Sequence, residues 1–218
     1  MAHERPILID MPGHLVGARV IVRAFDDADA APLHDAVQES IEHIRPWLPW
    51  YDTHGSLEDT RDYIRGTINR WTLGEGFEMG VFTQDTGAFL GGIGLHVRNS
   101  QIPSVEIGYW LRQSAEGHGY MSESARLLTA YAFEGLEARR VEIRCDARNR
   151  RSGTVAERLA YLLEGRLRND MLDPVGEPRD TLVYAMIPAD YARARTVWAK
   201  DIFTPPLADW SPGLIGRM

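Results

Sequence analysis

The chain has 218 residues, of which 44% are apolar and 25% charged, and its formal net charge is -7. This length suits one medium-sized domain, and the composition excludes a disordered or fibrous protein. The acidic balance argues against direct binding of nucleic acid, and the single cysteine, Cys145, excludes an intrachain disulfide. Because the sequence has neither a long apolar run nor a signal-like N-terminus, we expect a cytoplasmic protein that makes no membrane contact.

The N-terminal third predicts a strand followed by three helical regions. Alternating apolar residues in the segment 14–25 predict a strand, and the acidic stretch after it marks a helix start. The aromatic segment 40–54 is interrupted by prolines, which predicts a half-helix that passes into a loop. Helical spacing then predicts a helix over residues 57–73, with Ser56 as its N-cap.

The middle of the chain changes to a period of two. The stretches "FEMGVFT", "AFLGGIGLHV" and "VEIGYWL" predict three consecutive antiparallel strands. Their alternation divides the third strand into two faces. One face holds Val105, Ile107, Tyr109 and Leu111, and the other holds Glu106, Gly108 and Trp110.

The C-terminal part adds a crossover to this meander. A helix over residues 120–136 followed by the strand "RRVEIRCDA" makes a strand–helix–strand unit, whose two strands are expected to be parallel. The stretch "SGTVAERLAYLL" predicts another helix, and "DTLVYAMI" predicts a last strand. The proline-containing end of the chain is interpreted as a packed tail or an interface arm.

A corner with two glycines, "SAEGHGYMS", lies between the third strand and the helix that follows it. Unpaired N–H groups at a helix N-terminus favour phosphate, and Gly117 and Gly119 would let an anion approach the backbone. The simpler alternative is a strand-to-helix turn that uses glycine for its positive φ. A dinucleotide fingerprint is disfavoured because Ser122 replaces the third glycine and only one strand–helix–strand unit is present.

At these residues the sequence resembles the GNAT superfamily of N-acetyltransferases, and within it the RimJ/RimL-like branch. The matching pieces are "RPWLPW", "EIGYWL", "EGHGYMSE" and "NRRSGTVAERLAYLLEGRLRND", in the family's order. The resemblance implies a single mixed α/β domain over residues 1–218, with a core at about 15–187 and a C-terminal extension at 188–218. The implied fold is a mostly antiparallel mixed sheet with two splayed central parallel strands, flanked by helices.

The resemblance also implies that the glycine corner and the splayed strands bind the diphosphate and pantetheine arm of coenzyme A. The family corner usually carries Arg or Gln where this chain has Ser114, so Arg112 or Arg151 is the alternative source of charge. The implied cofactor-binding residues are Tyr109, Trp110, Leu111, Glu116, Gly117, His118, Gly119, Tyr120, Met121, Asn149 and Ser152.

Two side chains are candidates for the chemistry of acyl transfer. By the resemblance, Glu106 would deprotonate the amine directly or through water, and Ser152 would protonate the leaving thiolate. The alternatives are an exposed strand carboxylate for Glu106 and a helix N-cap for Ser152. We expect Trp47, Trp50 and Tyr51 to be divided between the acceptor groove and the core. No metal site is expected, because the seven histidines have no ligand spacing.

These features predict an acyl-CoA-dependent N-acyltransferase that works by direct transfer in a ternary complex. The donor is acetyl-CoA by default, and succinyl-CoA is a second hypothesis that invokes His43, Arg45 and His54 as partners for its carboxylate. The acceptor is a small amine or a protein N-terminus. The alternative function is a non-catalytic CoA-binding module, and a homo-oligomer is left open.

Overall fold

The computed structural model of the protein describes residues 11–73, 76–99 and 102–201, apart from the side chains of residues 51–52 and 199–201. Within these ranges the strands form one mixed sheet in the order β1-β2-β3-β4-β5-β6-β8-β7. The strands are β1 (His14–Val16), β2 (Val20–Ala24), β3 (Phe77–Thr83), β4 (Phe89–Asn99), β5 (Ser104–Leu111), β6 (Arg140–Asp146), β7 (Leu162–Leu172) and β8 (Pro178–Met186). The α-helices are α1 (Ala30–Ile44), α2 (Leu57–Leu73), α3 (Tyr120–Glu134), α4 (Arg150–Arg158) and α5 (Pro188–Asp201).

The helices cover the two faces of the sheet and enclose two apolar clusters. The larger cluster joins α3, α4 and α5 to the sheet, with Leu128 and Ile143 at its centre. The smaller one lies under α1 and α2 and contains Ile64 and Phe89. Across the described part of the chain, no helix is long and apolar enough to cross a membrane.

The predicted bounds of helix α2, residues 57–73, are confirmed, and contacts at its first turn explain where it begins. The Ser56 hydroxyl accepts from the backbone N–H of Asp59 at 3.1 Å, and the Asp59 carboxylate accepts from the Ser56 N–H at 2.8 Å. This reciprocal pair fixes the first turn. Ile64, spaced for the buried face, is fully enclosed.

Two of the predicted elements differ in the structure. The segment predicted as one strand is a hairpin, because the Gly17 N–H donates to the Val20 carbonyl oxygen at 2.8 Å and turns the chain between β1 and β2. The helix predicted through residue 163 ends at Arg158, and Ala160 takes a positive φ of 63°. Leu162 and Leu163 therefore continue into β7, an exposed strand that pairs with β8.

The two central strands are parallel and diverge. β5 and β6 pair only at Ser104–Arg140, Val105–Val141 and Glu106–Glu142. Beyond these pairs β5 continues against β4 up to Leu111, and β6 continues against β8 up to Asp146. The sheet is thus split along its middle, as the family resemblance implies.

Candidate active site

The split between β5 and β6 opens into a cavity of about 1360 Å³. Its wall is formed by β5, β6, the glycine corner, the start of α4 and the loop after α1. Most of the predicted site residues line it: Trp47, Glu106, Tyr109, Trp110, Leu111, Glu116, Gly117, Gly119, Met121, Asn149 and Ser152. The structure therefore brings together residues from distant parts of the sequence.

Three predicted residues lie outside this wall, and one cannot be placed. The exposed His118 ring stacks on Tyr120, with ring centroids 5.7 Å apart, and neither residue lines the cavity. Trp50 packs edge-on against Trp110 at 5.7 Å and belongs to the smaller apolar cluster. Trp47 thus lines the cavity and Trp50 packs in the core, while the Tyr51 side chain lies outside the described residues.

The diverging strand offers unpaired backbone to a ligand. Residues 107–111 pair with β4 on one side only, because the last β5 residue that pairs with β6 is Glu106. Peptide groups that face the gap have lost a strand partner, so an extended amide-containing ligand can supply the missing hydrogen bonds. The pantetheine arm has two amides and fits this requirement.

The glycine corner forms an anion cradle at the start of α3. Gly117 and Gly119 have φ of 78° and 79°, and Gly119 is the N-cap without any side-chain capping bond. A Cβ on Gly117 would meet no atom within 4 Å, so the space above the corner is open. Free N–H groups, the helix dipole and open space together suit a phosphate group. The residues present therefore fit coenzyme A.

Arg19 braces this corner, and sequence reasoning missed it. Its guanidinium donates to the His118 carbonyl oxygen and to the Glu123 carboxylate, each at 2.9 Å. Glu123 is 4% exposed and also accepts from the Arg19 backbone N–H at 2.8 Å. These contacts join residues 99 and 104 positions apart, which no local pattern reveals.

The cations proposed to replace the family's corner residue have different surroundings. Arg112 pairs with Glu39 and does not line the cavity, and Glu39 also accepts from the Ser114 N–H at 2.9 Å. Arg112 holds the pKa of Glu39 down to about 2, so the carboxylate neutralises this cation. Arg151, in contrast, lines the cavity beside Glu116.

Tyr109 and Ser152 meet in the gap between the strands. The Ser152 hydroxyl donates to the Tyr109 hydroxyl at 3.2 Å, and Tyr109 donates to the Ser152 carbonyl oxygen at 2.9 Å. Burial raises the pKa of Tyr109, so its hydroxyl keeps its proton at neutral pH. Ser152 is not the N-cap of α4: Asn149 holds that position, and its side chain accepts from the Ser152 N–H at 3.1 Å.

Glu106 lies at the point where β5 and β6 separate. Its side chain is 22% exposed, and one carboxylate oxygen lies 3.5 Å from Nε of Arg98. Burial raises the pKa of Glu106, and Arg98 opposes that shift. A carboxylate in such surroundings accepts a proton more readily than an exposed one, which is the property that a general base needs.

Only one of the three side chains invoked for a succinyl carboxylate lines the cavity. His43 is in the wall, whereas Arg45 is exposed outside it. His54 is 1% exposed and its Nδ1 lies 3.1 Å from the Thr60 hydroxyl. Burial lowers the pKa of His54 to about 4, so this imidazole is neutral near pH 7.

A sheet split between two parallel strands, with a glycine corner at the adjacent helix N-terminus, defines the GNAT class of fold. The profile of the acetyltransferase (GNAT) domain family matches residues 19–161. The chain belongs to this family. In the described residues no group of three or more His, Cys, Asp or Glu side chains is arranged to hold a metal ion.

The similar proteins include acetyltransferases of ribosomal proteins. The chain is 30% identical over 149 residues to the ribosomal-protein-serine acetyltransferase of Escherichia coli K12, covering 66% of this chain and 82% of that protein. It is 26% identical over 179 residues to the alanine N-acetyltransferase of ribosomal protein uS5 from the same organism, covering 81% and 92%. Among solved structures, RimL, a ribosomal alpha-N-protein acetyltransferase in complex with coenzyme A, superposes with a TM-score of 0.71 at 30% identity, covering 79% and 96%.

Proposed function

We propose that the protein transfers an acetyl group from acetyl-CoA to a primary amine, and that the acceptor is the N-terminal amine of a protein. The observation that carries this proposal is the divergence of β5 from β6 after Glu106, which opens onto the glycine corner at one end and onto Tyr109 and Ser152 between the strands. Relatives named as acetyltransferases of a serine and an alanine of ribosomal proteins, and RimL, named as an alpha-N-protein acetyltransferase, support the choice of acceptor.

Each side chain takes one part of the direct transfer. Glu106 accepts the proton of the ammonium group, directly or through water, and the neutral amine then attacks the thioester carbonyl. A β5 backbone N–H near residues 109–111 stabilises the negative charge that develops on the carbonyl oxygen. As the C–S bond breaks, Ser152, held in place by Tyr109, supplies a proton to the departing thiolate and takes up the second proton that leaves the attacking nitrogen, so no covalent enzyme intermediate is required.

Acetyl is favoured over succinyl as the transferred group. A succinyl carboxylate must lose water on binding, and it needs a cation or several donors at the acyl tail. Of the three side chains invoked above for this role, only His43 lines the cavity. Arginines also line it, but Arg98, Arg144, Arg148 and Arg151 are each paired with a carboxylate of the chain. We therefore propose acetyl-CoA as the donor and treat succinyl-CoA as the competing ligand to test.

Native mass spectrometry of the purified protein tests the donor, because a retained acyl-CoA would reveal its acyl mass. Turnover is then measured with acetyl-CoA and succinyl-CoA on peptides that begin with serine or alanine. The matched control peptide has a blocked N-terminus and an internal lysine. We expect acetylation of the free N-termini only. Binding of CoA without turnover on any amine would instead identify a non-catalytic CoA-binding module.

A further inference from the structure

Three charged or polar side chains meet at the mouth of the cavity, and we call them the mouth cluster: His43, Glu116 and Arg151. One Glu116 oxygen lies 2.5 Å from Nε2 of His43, and the other lies 2.8 Å from Nη1 of Arg151. Arg151 also lies 3.1 Å from Nδ1 of His43. All three residues line the cavity, so the cluster joins α1, the glycine corner and α4 across its opening.

The contacts are mutually consistent in one hydrogen-bonding arrangement. With its proton on Nε2, the His43 ring can donate to Glu116 while Nδ1 accepts from Nη1 of Arg151, which also lies 3.3 Å from Nε2. Arg151 donates to the second oxygen of Glu116 as well. The carboxylate is thus the anion around which the other two side chains are arranged.

Arg151 is in a place that its own charge disfavours, and the charge of Glu116 becomes unfavourable once a phosphate is bound beside it. Glu116 directly precedes Gly117, so its negative charge lies next to the cradle proposed for a phosphate. Arg151 is in the first turn of α4, at the positive end of the helix dipole, where a cation is unfavourable. An anion next to Arg151 offsets this unfavourable interaction with the helix dipole, and the Glu116 carboxylate is such an anion.

We propose that Glu116 is an intramolecular substitute for a phosphate of coenzyme A. Without the cofactor the Glu116 carboxylate contacts Arg151 and His43, and a phosphate of CoA replaces it in these contacts on binding. Arg151 is 69% exposed, so it is free to turn towards an incoming phosphate. CoA and acyl-CoA carry the same phosphates, and Glu116 therefore weakens both and favours release of the CoA product.

The inference rests on the proposed function, and its test is the affinity of Glu116→Gln for three ligands. Glutamine keeps the shape and removes the charge, so CoA should bind about tenfold more tightly, which corresponds to about 1.4 kcal/mol. Pantetheine lacks both the diphosphate and the ribose 3′-phosphate, so its affinity should be the same for the variant and the wild type. Dephospho-CoA distinguishes the two phosphate sources: an equal gain identifies the diphosphate, and no gain identifies the 3′-phosphate.

Two further variants make the test specific. Glu58→Gln removes a carboxylate that pairs with Arg61 at 2.9 Å on α2, outside the cavity wall, and should leave CoA affinity unchanged. Arg151→Met should weaken CoA and leave pantetheine unaffected.

The inference is overturned if Glu116→Gln binds CoA no more tightly than the wild type, or if pantetheine or Glu58→Gln shows the same gain. A wild type that binds no CoA would refute the proposed function itself, which is a different outcome.

Discussion

Replacing Gly119 by glutamate places a carboxylate at the corner where we propose that the diphosphate of coenzyme A binds. The residue has φ of 79°, and a Cβ built on it would lie 3.5 Å from Nη2 of Arg19, an ordinary contact. The steric cost is therefore the left-handed backbone alone, about 1–2 kcal/mol for a residue other than glycine. For a protein of this size, we expect the melting temperature to fall by about 2–8 °C.

The effect on binding should be larger and has a different cause. A carboxylate about 4 Å from a phosphate oxygen, at an effective dielectric constant of about 20, is opposed by about 4 kcal/mol per charge pair. Solvent at the cavity mouth and the nearby guanidinium of Arg19 reduce this repulsion. A loss of more than 1.4 kcal/mol still remains, so CoA affinity should fall by more than about tenfold.

A matched variant separates strain from charge. Gly176, in the exposed turn between β7 and β8, has φ of 87° and no atom within 4 Å of a built Cβ. Gly176→Glu therefore adds the same side chain to the same backbone conformation away from the cavity. Calorimetric titration should show lost affinity for Gly119→Glu only, while thermal melts show similar losses for both. Wild-type affinity in a folded Gly119→Glu protein would refute the assignment of the corner.

Three further predictions follow from the site and its buried groups. Ser152→Ala should lower kcat far more than it weakens acetyl-CoA binding, because its proton is needed only as the thiolate leaves; Tyr109→Phe should share this signature, and single-turnover kinetics would check both. Because burial raises the pKa of Glu106, the rise of kcat/KM with pH should lie above the ordinary glutamate range, and Glu106→Gln should lose that limb and keep the one from the amine near pH 8. The folded-state pKa of His54 is about 4, below its ordinary 6.5, so the unfolded state binds a proton at a higher pH than the folded state. The free energy of unfolding should therefore fall as pH drops from about 6.5 towards about 4, and denaturant titrations of His54→Gln should show a flatter dependence of that free energy on pH.

Elements with local signals were predictable from the sequence. The bounds of α2 follow from the cap at Ser56 and from helical spacing, and both signals lie within the segment itself. The helix before β7 was predicted too long because Leu159 and Leu162 keep helical spacing. Burial of Leu159 and exposure of Leu162 show that the spacing there is a coincidence at an edge strand.

The parts of the site that sequence reasoning missed depend on contacts between distant segments. Arg19 reaches Glu123 across 104 residues, and Glu39 reaches the Ser114 N–H across 75. Neither residue type nor spacing identifies such a partner in a single sequence. The sequence shows that Ser114 differs from the usual family residue, but it does not show that Glu39 lies beside Ser114 and pairs with Arg112. Arg112 was therefore kept as a possible source of positive charge.

Backbone groups carry most of the proposed cofactor site, and this has a consequence for its specificity. The corner around Gly117 and Gly119 and the unpaired part of β5 recognise phosphate and amide groups that every acyl-CoA shares. Side-chain changes such as Ser114 therefore leave the cradle intact. The acceptor end that we propose, in contrast, is built from side chains, including Trp47 and Glu106, so we expect substitutions there to alter the acceptor without disturbing the donor site. Relatives at 30% and 26% identity are accordingly both acetyltransferases of ribosomal proteins but are named for different residues, a serine and an alanine.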